Sequence, residues 1–219
     1  MTSAFEIPFE KLPESLPVFP LSGVILLPGG QLPLNIFEPR YINMVLDALS
    51  TSRLIGMVQP QDKKVFSQTP DLFSTGCAGR ITSYQETDDG RLLVTLRGIC
   101  RFDISGEMPT TRGYRRAVVN WMRYKEDMLE NNSVSFDRDL LYIKLDSYFR
   151  RHNVDVDWNH VREIPSPDLI NYLAQNLPFE PREKQALLEA KTHAERVSTL
   201  MALIDLELAS GATAKRSRH

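Results

Sequence analysis

Four residues of metal-binding types, His152, Asp155, Asp157 and His160, lie close together in this chain. Imidazole nitrogens and carboxylate oxygens together can bind a divalent ion, so this cluster is the first candidate for chemistry. Three of the four fall in the polar stretch 153–165, and His152 immediately precedes it. We interpret this stretch as a connection between helices, where polar residues are expected in any case. Residue types without a fixed geometry are weak support for a metal site. We therefore predict no metal and no cofactor.

Seven other residues have side chains suited to the rim of a binding site. Arginine pairs with carboxylates in a bidentate geometry, so arginines on strands predict a polar rim around a groove that binds extended polypeptide or an acidic group. The alternative is internal pairing, in which an acid such as Glu38 satisfies an arginine that shapes the sheet. The run FEPRY has the pattern of a junction between a strand and a helix. The candidates are Glu38, Arg40, Tyr41, Arg80, Arg97, Arg101 and Phe102.

The sequence contains neither of two common catalytic signatures. A phosphate-binding loop needs the pattern G-x-x-x-x-G-K-[ST], and a nucleophile elbow needs G-x-S-x-G; neither run occurs. Cys77 and Cys100 have no Cys or His neighbour at metal-ligand spacing, and we predict that they are buried, reduced thiols. His193 lies in the first turn of a predicted helix, where we expect it to be solvated. We predict a protein that is not an enzyme and has no catalytic residues.

The elements that must position these residues are strands in the first half of the chain. Residues 16–41 contain three apolar runs, 18–21, 24–27 and 32–37, separated by prolines and glycines. Short apolar runs bounded by such residues predict buried strands joined by turns. The next stretch predicts one amphipathic helix, followed by a strand over 54–59. The helix would bury Tyr41, Met44, Val45, Ala48 and Leu49.

A hairpin and a further strand complete the first half. Asp89 and Gly90 separate two runs of alternating apolar residues, which is a strong hairpin signal. Glycines within both arms predict bulges or bends rather than flat strands. Several bends in a sheet of this size favour a closed or half-closed barrel. The last strand is predicted over 114–124, and the glycines concerned are Gly76, Gly79 and Gly98.

The second half is predicted to be helical, which makes the fold α+β. A first helix would begin at a Ser135 cap and end near 152, with a short turn around Trp158. Three more are predicted over 166–176, over 181–190, and from a Thr192 cap to Gly211. Short connections allow an antiparallel bundle. We therefore predict two domains, a β-rich domain over 1–124 and a helical bundle over 125–219 that ends in the disordered basic tail KRSRH.

Four ordered motifs make the chain similar to a known family. They are the Leu-Pro-x-x-Pro-Leu start with a Phe-Glu-x-Arg-Tyr end in residues 16–41, the Gly-x-x-x-Arg-Ile strand over 76–81, the Val-to-Arg-Phe strand over 94–102, and the Glu-Lys-Gln-x-Leu-Leu-Glu helix over 183–189. In this order they resemble the N-terminal substrate-binding domain of the Lon protease family, over about residues 16–209. The resemblance implies a PUA-like, half-closed barrel with one helix, and it implies polypeptide recognition. The ATPase and protease modules of that family have no counterpart in this sequence, which we expect to be a stand-alone member.

Composition and charge narrow the function further. A net charge of -2 and a pI near 6.1 give no basic face of the kind that nucleic acid calls for. No secretory signal precedes residue 16, and the apolar run over 24–27 is too short to span a bilayer, so we expect a cytoplasmic protein. We predict a non-enzymatic module that binds polypeptide clients, or a protease or chaperone partner, as an adaptor or sensor. An RNA-binding PUA-like protein, and a small-ligand binder or enzyme that uses the barrel pocket, stay open as alternatives.

Overall fold

The computed structural model describes residues 7–61, 70–109, 112–129 and 136–216. Its first half alternates strands with one α-helix, and its second half is helical, which confirms the predicted α+β class. The elements of the first half are β1 (Ser15–Pro20), β2 (Gln31–Ile36), α1 (Pro39–Leu49), β3 (Leu54–Val58), β4 (Thr75–Glu86), β5 (Leu92–Met108) and β6 (Arg115–Asn120). Those of the second half are α2 (Arg138–His152), α3 (Trp158–Glu163), α4 (Ser166–Asn176), α5 (Pro181–Glu189) and α6 (His193–Arg216).

The strands form one mixed sheet in the order β2-β5-β4-β3-β1-β6, and β5 also pairs with β6. Because β5 takes part at both places, five of the strands close into a ring and β2 is added beside β5. Among the strands that the structure describes, β1 and β3 run parallel and the other pairs are antiparallel. The description as a PUA-like half-closed barrel stays a prediction from the resemblance, and the description of the helices as a bundle stays a prediction from their short connections.

The predicted hairpin is present, and so is a bend near Gly79 and Gly98, whereas Gly76 pairs with Phe102 in regular register. Gly90 has a φ of +78°, which only glycine adopts without strain, and the Thr87 N–H donates to the Arg91 carbonyl at 3.0 Å to close the turn. The register between β4 and β5 shifts between Ala78 and Gly79, so the predicted bend is confirmed there. At Gly98, opposite that shift, a Cβ would overlap the carbonyl oxygen of Leu27.

One predicted strand is wrong. The apolar run over 24–27 is buried but has no strand pairing. Side chains from α4 form hydrogen bonds with the backbone at the end of this run instead. The Leu27 N–H donates to Gln175 Oε1 at 2.9 Å, and Asn171 Nδ2 donates to the carbonyl of the next residue, Pro28, at 2.9 Å. The run is therefore a buried, irregular segment whose backbone partners are distant in sequence, and a local pattern cannot distinguish that from a strand.

Two hydrophobic clusters lie on the two faces of the sheet. The cluster within the ring includes Val18, Leu54 and Phe102. The larger cluster lies between the sheet and the helices and includes Leu96 of β5 and Leu200 of α6. It contains residues from both predicted domains, so the core is continuous across residue 124; the division into 1–124 and 125–219 stays a prediction.

The two cysteines lie on opposite faces of the sheet. Cys77 belongs to the larger cluster and Cys100 to the cluster within the ring. Both are buried and free, which confirms the prediction of reduced thiols.

The helical half departs from the predictions in three places. The cap of α2 is Asp137, whose Oδ1 accepts from the Leu140 N–H at 2.9 Å; the predicted cap Ser135 lies outside the described residues. The spacing of Leu169, Tyr172 and Leu173 predicts that all three lie on the buried side of α4, but Tyr172 is exposed. Gly211 does not end α6, which continues to Arg216, because the alanines around it favour helix. The helix thus includes the first two residues of the predicted disordered tail; residues 217–219 lie outside the described part. No helix in the described part is long and apolar enough to cross a membrane.

A buried amide connects the ring to the helices. Gln59, which follows β3, donates through Nε2 to the Pro181 carbonyl at 3.0 Å and to Gln185 Oε1 at 3.1 Å. Its Oε1 accepts from the Gly23 N–H at 2.9 Å. Gln185 in turn donates to the Thr75 carbonyl at 3.1 Å. Each of these buried polar atoms has a partner, as a stable interior requires.

Candidate functional site

The structure divides the seven candidate residues into two groups. Glu38, Arg40 and Tyr41 lie at the N-terminus of α1, beside a surface cleft. The other four lie on β4 and β5, away from the residues that line the cleft. They are Arg80, Arg97, Arg101 and Phe102.

Arg101 is buried and belongs to the interior. Its Nε and Nη2 donate to the Asp127 carboxylate at 2.9 and 2.7 Å, and its remaining N–H groups reach the carbonyl oxygens of Leu188, Ala190 and Lys191. All five donors of the guanidinium group are therefore occupied. Burial acts to lower the pKa of Arg101, and the hydrogen bonds and charge of Asp127 outweigh it, so the pKa is raised. The side chain joins β5 to the end of α5.

Phe102 is also an interior residue. It is fully buried, and its ring meets that of Trp121 edge to face at 5.6 Å. A Cβ at Gly56 or Gly76 would lie 2.8 or 2.7 Å from the Phe102 ring. The two glycines thus leave the space that the ring occupies.

Arg80 and Arg97 are neighbours on the sheet surface. They lie directly opposite each other on β4 and β5, and Arg97 is also opposite Gln31 of β2 and is exposed. Neither lines the cleft. Their proposed role as a rim for an acidic ligand stays a prediction.

The cleft has a volume of about 130 Å³ and lies between the end of β1, the start of α1, and the start of β6. Three features of the chain create it. Pro20 ends β1, and Pro39 begins α1 in the first turn, where proline is tolerated. Gly113 precedes β6 with a φ of +82°, and a Cβ there would lie 3.3 Å from Arg40 Cβ. The lining residues are Pro20, Arg40, Tyr41, Pro60, Pro70, Gly113, Tyr114 and Arg115.

Tyr41 forms the base of the cleft. Its ring packs on Phe19 with centroids 4.4 Å apart, and the Arg40 guanidinium carbon lies 4.6 Å from the Tyr41 ring centroid. Burial, with the charge of Glu38 adding to it, raises the pKa of Tyr41, and Arg40 and Arg115 offset part of this shift, so the hydroxyl is neutral at neutral pH. The side chain is 7% exposed, and its hydroxyl has no hydrogen-bond partner among the residues that the structure describes.

Three ion pairs hold the walls. Arg40 Nη2 lies 2.8 Å from Glu38 Oε2, and Arg115 Nε donates to Glu107 Oε2 at 2.9 Å. Arg115 Nη1 also donates to the Pro70 carbonyl at 2.6 Å, which connects Pro70, located before β4, to β6. On the far side of the Tyr114 ring, the Tyr114 hydroxyl donates to Asp47 Oδ2 at 2.8 Å, and Arg112 pairs with the same carboxylate.

Sequence reasoning found two of the eight lining residues, Arg40 and Tyr41, and missed the remainder. The prolines come from the end of β1 and from two positions in the connection between β3 and β4, which only the tertiary fold brings together. The run RGYRR over 112–116 does carry a signal, because a glycine followed by an aromatic residue and two arginines combines a turn with ligand-binding side chains.

Three residues of the cluster that has metal-binding residue types, His152, Asp155 and Asp157, each have a local partner. The His152 ring lies on Tyr148 with centroids 4.4 Å apart, and its Nε2 is 3.7 Å from Glu207 Oε1 on α6. Asp157 accepts from the Asn159 N–H at 3.0 Å at the start of α3. The side chain of His160 lies outside the described part. Within the described residues, no group of three or more His, Cys, Asp or Glu side chains could hold a metal ion.

His193 was expected to be solvated, and the structure shows it half-buried beside two arginines. Burial, with Arg196 and Arg101 adding to it, lowers the pKa of His193 to about 4. Arg196 is 4% exposed and donates to the Leu187 carbonyl at 3.0 Å; burial and Arg101 lower its pKa to about 10. His193 Nε2 and Arg196 Nη2 have no hydrogen-bond partner in the described part of the chain.

The described residues form an α+β domain, with helices on one face of a mixed sheet and a small aromatic cleft at the start of its first helix. Residues 15–205 match the family of the ATP-dependent protease La (LON) substrate-binding domain, and the chain belongs to this family. The resemblance drawn from the motifs is thereby confirmed.

Relatives and solved structures agree with this assignment. The chain is 27% identical to a Lon protease of Flavobacterium johnsoniae, over 91% of this chain and 25% of the relative, and 28% identical to Lon protease 2 of Thermus thermophilus, over 94% and 26%. It therefore spans about a quarter of the length of these relatives. The crystal structure of a Lon N-terminal domain protein from Xanthomonas campestris matches with a TM-score of 0.57 and 26% identity, over 86% of this chain and 97% of that one. The N-terminal domain of a Mycobacterium avium complex Lon protease shares the fold, with a TM-score of 0.55 at 16% identity, over 87% and 96% of the two chains.

Proposed function

We propose that this chain is a polypeptide-binding module that recognises exposed segments of client proteins and acts as an adaptor or sensor, without performing chemistry itself. The observation that carries the proposal is the cleft beside α1. It combines the Tyr41 and Tyr114 rings and three prolines with two guanidinium groups at the surface. Membership of a substrate-binding family supports the same function.

The size of the cleft favours a side chain of a polypeptide over a cofactor or metabolite. Its volume of about 130 Å³ is well below the roughly 300–1,000 Å³ of pockets that enclose small-molecule ligands. One apolar side chain fits. Peptide-binding domains gain specificity from pockets of this kind, each of which takes a single side chain from an extended chain. Ordering a flexible client costs part of the gain, so we expect modest affinity.

Strand addition at the edge of the sheet contributes less. Among the described strands, β2 pairs with β5 alone, so its other edge is the place where a client strand could add. Pro33 in the middle of β2 has no N–H to offer, and Gln175 Nε2 already donates to the Gln31 carbonyl at 3.2 Å. Both features protect an edge against pairing. We therefore assign client binding to the cleft.

The state of the most reactive side chains supports a role in binding alone. Burial, with the charge of Asp127, raises the pKa of Cys100 to about 12, and burial raises the pKa of Cys77 well above its usual value. Buried thiols of this kind are inert, because the thiolate is the nucleophile. The guanidinium groups near the cleft are balanced by Glu38, Glu107 and Asp47, which gives a nucleic acid no strong positive face.

The proposal is tested by filling the cleft. Pro20 lines it from the end of β1 and is partly exposed, so Pro20→Phe places a ring in the space for the client side chain. Overlapping ten-residue peptides that tile a reduced, permanently unfolded protein are titrated by fluorescence anisotropy. A subset should bind, and the variant should weaken that subset by about tenfold or more, the loss expected from one buried apolar side chain.

The matched control is Ile143→Phe, an equally bulky change on the exposed surface of α2, where Ile143 is 66% exposed. We expect it to leave all affinities unchanged. Equal affinities for the unsubstituted protein and Pro20→Phe would show that clients do not use the cleft, and the absence of binding to every peptide would overturn the proposed function.

A further inference from the structure

We propose that the cleft recognises the C-terminal end of a client chain, with the last, apolar side chain inside it and the terminal carboxylate against the Tyr41 hydroxyl and the guanidinium groups of Arg40 and Arg115. This inference rests on the proposed polypeptide-binding function and specifies its ligand.

The charges around the cleft are asymmetric. Of its eight lining residues, all of them described, two are arginines and none is acidic. The acids that pair with these arginines, Glu38 and Glu107, do not line the cleft, and each has a side chain that is 44% exposed. The arginine of each ion pair thus lines the cleft and the acid does not, although the charge of Glu38 also acts on the Tyr41 pKa. The Arg40–Glu38 pair is exposed on both sides, and such pairs are weak, so a bound carboxylate can share the Arg40 donors at little cost. The Arg115 side chain is 16% exposed and is held in place by Glu107 and a backbone carbonyl, so it adds a fixed positive charge.

The Tyr41 hydroxyl is a donor without an acceptor among the described residues. The residue is 7% exposed and lines the cleft, and its hydroxyl is not among the fully enclosed polar atoms of the described part, so a ligand in the cleft can reach it. Arg40 and Arg115 line the same cleft, and the Arg40 guanidinium carbon lies 4.6 Å from the Tyr41 ring centroid. These three residues, which line the cleft with side-chain donors, are best matched by a group that only accepts hydrogen bonds.

The main chain of the walls supplies little to an internal peptide segment. Three of the lining residues, Pro20, Pro60 and Pro70, have no N–H, and the Pro70 carbonyl already accepts from Arg115. An internal segment brings N–H groups that need acceptors, and it must also leave the cleft again. The C-terminal residue of a chain carries a carboxylate, with two acceptor oxygens, on the same Cα as its side chain. This suits a cleft that holds about one residue.

The carboxylate could also come from an Asp or Glu side chain, so the test separates the two sources. Four fluorescein-labelled ten-residue peptides are identical except at their C-terminal ends. The first ends in Leu with a free carboxylate and the second in Leu amide. The third ends in Ser with a free carboxylate, and the fourth has Asp before a Leu amide. We expect the Leu acid to bind about tenfold more tightly than the Leu amide, the range of a hydrogen-bonded charge, and the Ser acid to bind as weakly as the amide.

The decisive variant is Tyr41→Phe, which removes the hydroxyl and keeps the ring on Phe19. It should reduce the preference for the free acid severalfold without shifting the unfolding midpoint, since the hydroxyl has no partner in the described part of the protein. Tyr84→Phe, on the exposed part of β4, is the matched control and should change neither quantity.

The outcomes are distinct. Equal binding of Leu acid and Leu amide would overturn recognition of the chain end while leaving polypeptide binding in place. An Asp-containing amide that binds as well as the Leu acid would show that any carboxylate suffices, and would overturn it too. If no peptide binds, the proposed function itself fails.

Discussion

Arg101 and Arg40 carry the same guanidinium group, and the structure uses them in opposite ways. Arg101 is enclosed where β5 meets the end of α5, and its five donors are all occupied by Asp127 and three carbonyl groups. Arg40 is 35% exposed beside the cleft, and Glu38 is its one ion-pair partner in the described part of the chain. The hydrogen-bond donors of Arg101 are all used within the protein, whereas Arg40 keeps donors that can bind a ligand.

This difference shows how to choose between structural and binding arginines. The residue type and the strand pattern are the same for both, so neither decides. What decides is the number of acceptors that the folded chain supplies, and for Arg101 they come from positions 26 to 90 residues away. We expect substitutions around Arg101 to change stability, and substitutions around Arg40 to change binding.

The largest effect should follow Arg101→Met. The variant leaves Asp127, whose side chain is 10% exposed, as a buried carboxylate without its counter-ion, and it leaves the carbonyl groups at the end of α5 unsatisfied. Loss of one partner of a buried pair costs about 3–5 kcal/mol. The measurement is the free energy of unfolding from urea titration followed by circular dichroism.

The control for this variant is Arg97→Met, four residues earlier on β5 and exposed. It should change the free energy of unfolding by less than about 0.5 kcal/mol. If the two variants were equally stable, the structural role of Arg101 would be wrong.

A smaller and pH-dependent effect should follow His193→Gln. Burial lowers the pKa of His193 to about 4 from an ordinary value of 6.5, so the unfolded chain binds a proton here before the folded chain does. The neutral imidazole thus contributes stability that is present above about pH 6.5 and is lost as the pH falls towards 4. The loss is below about 1.4 kcal/mol per pH unit, the limit for one proton, because the side chain is half-exposed.

The comparison is the urea midpoint at pH 7 and at pH 5 for both proteins. We expect the midpoint of the unsubstituted protein to fall more steeply than that of His193→Gln. If the urea midpoints of the two proteins fell equally between pH 7 and pH 5, His193 would take up its proton at the same pH in the folded and unfolded states. Burial and the nearby arginines would then not lower its pKa.

The sequence predicts the regular elements of this fold well. The hairpin at Asp89 and Gly90, the amphipathic helix after Pro39, and the helix that begins at Pro181 each follow from local rules of turn and cap chemistry, and each is present. The run over 24–27 fails because its backbone partners are Gln175 and Asn171, more than a hundred residues away. Local patterns carry no information about such partners.

The candidate site was less predictable than the fold, for the same reason. Arg40 and Tyr41 were found because they lie next to each other at a junction of elements. Pro20, Pro60 and Tyr114 come from separate parts of the chain and gain a role only when the ring closes between β1 and β6. Burial of Arg101 likewise depends on what the helices place beside β5, and burial of Phe102 depends on the closing of the ring around it; the strand pattern can show neither.

The smallest effect on stability, and the sharpest contrast with Arg101, should follow Arg40→Gln. The ion pair that it removes is exposed on both sides, at 35% and 44%, and pairs of this kind contribute about 0–1 kcal/mol. The free energy of unfolding should therefore stay within about 1 kcal/mol. The affinity for a peptide with a free C-terminal leucine should nevertheless fall severalfold, because one of the three donors at the cleft is lost.

The two arginines then form a double comparison, in which Arg101→Met changes unfolding, and Arg40→Gln changes binding at nearly constant stability. Arg97→Gln is the control for Arg40, since Arg97 is exposed but does not line the cleft, and its affinity for the same peptide should be unchanged. A loss of stability in Arg40→Gln as large as that in Arg101→Met would mean that Arg40 holds α1 in place. Its donors at the cleft would then stabilise the fold and would not be free for a ligand.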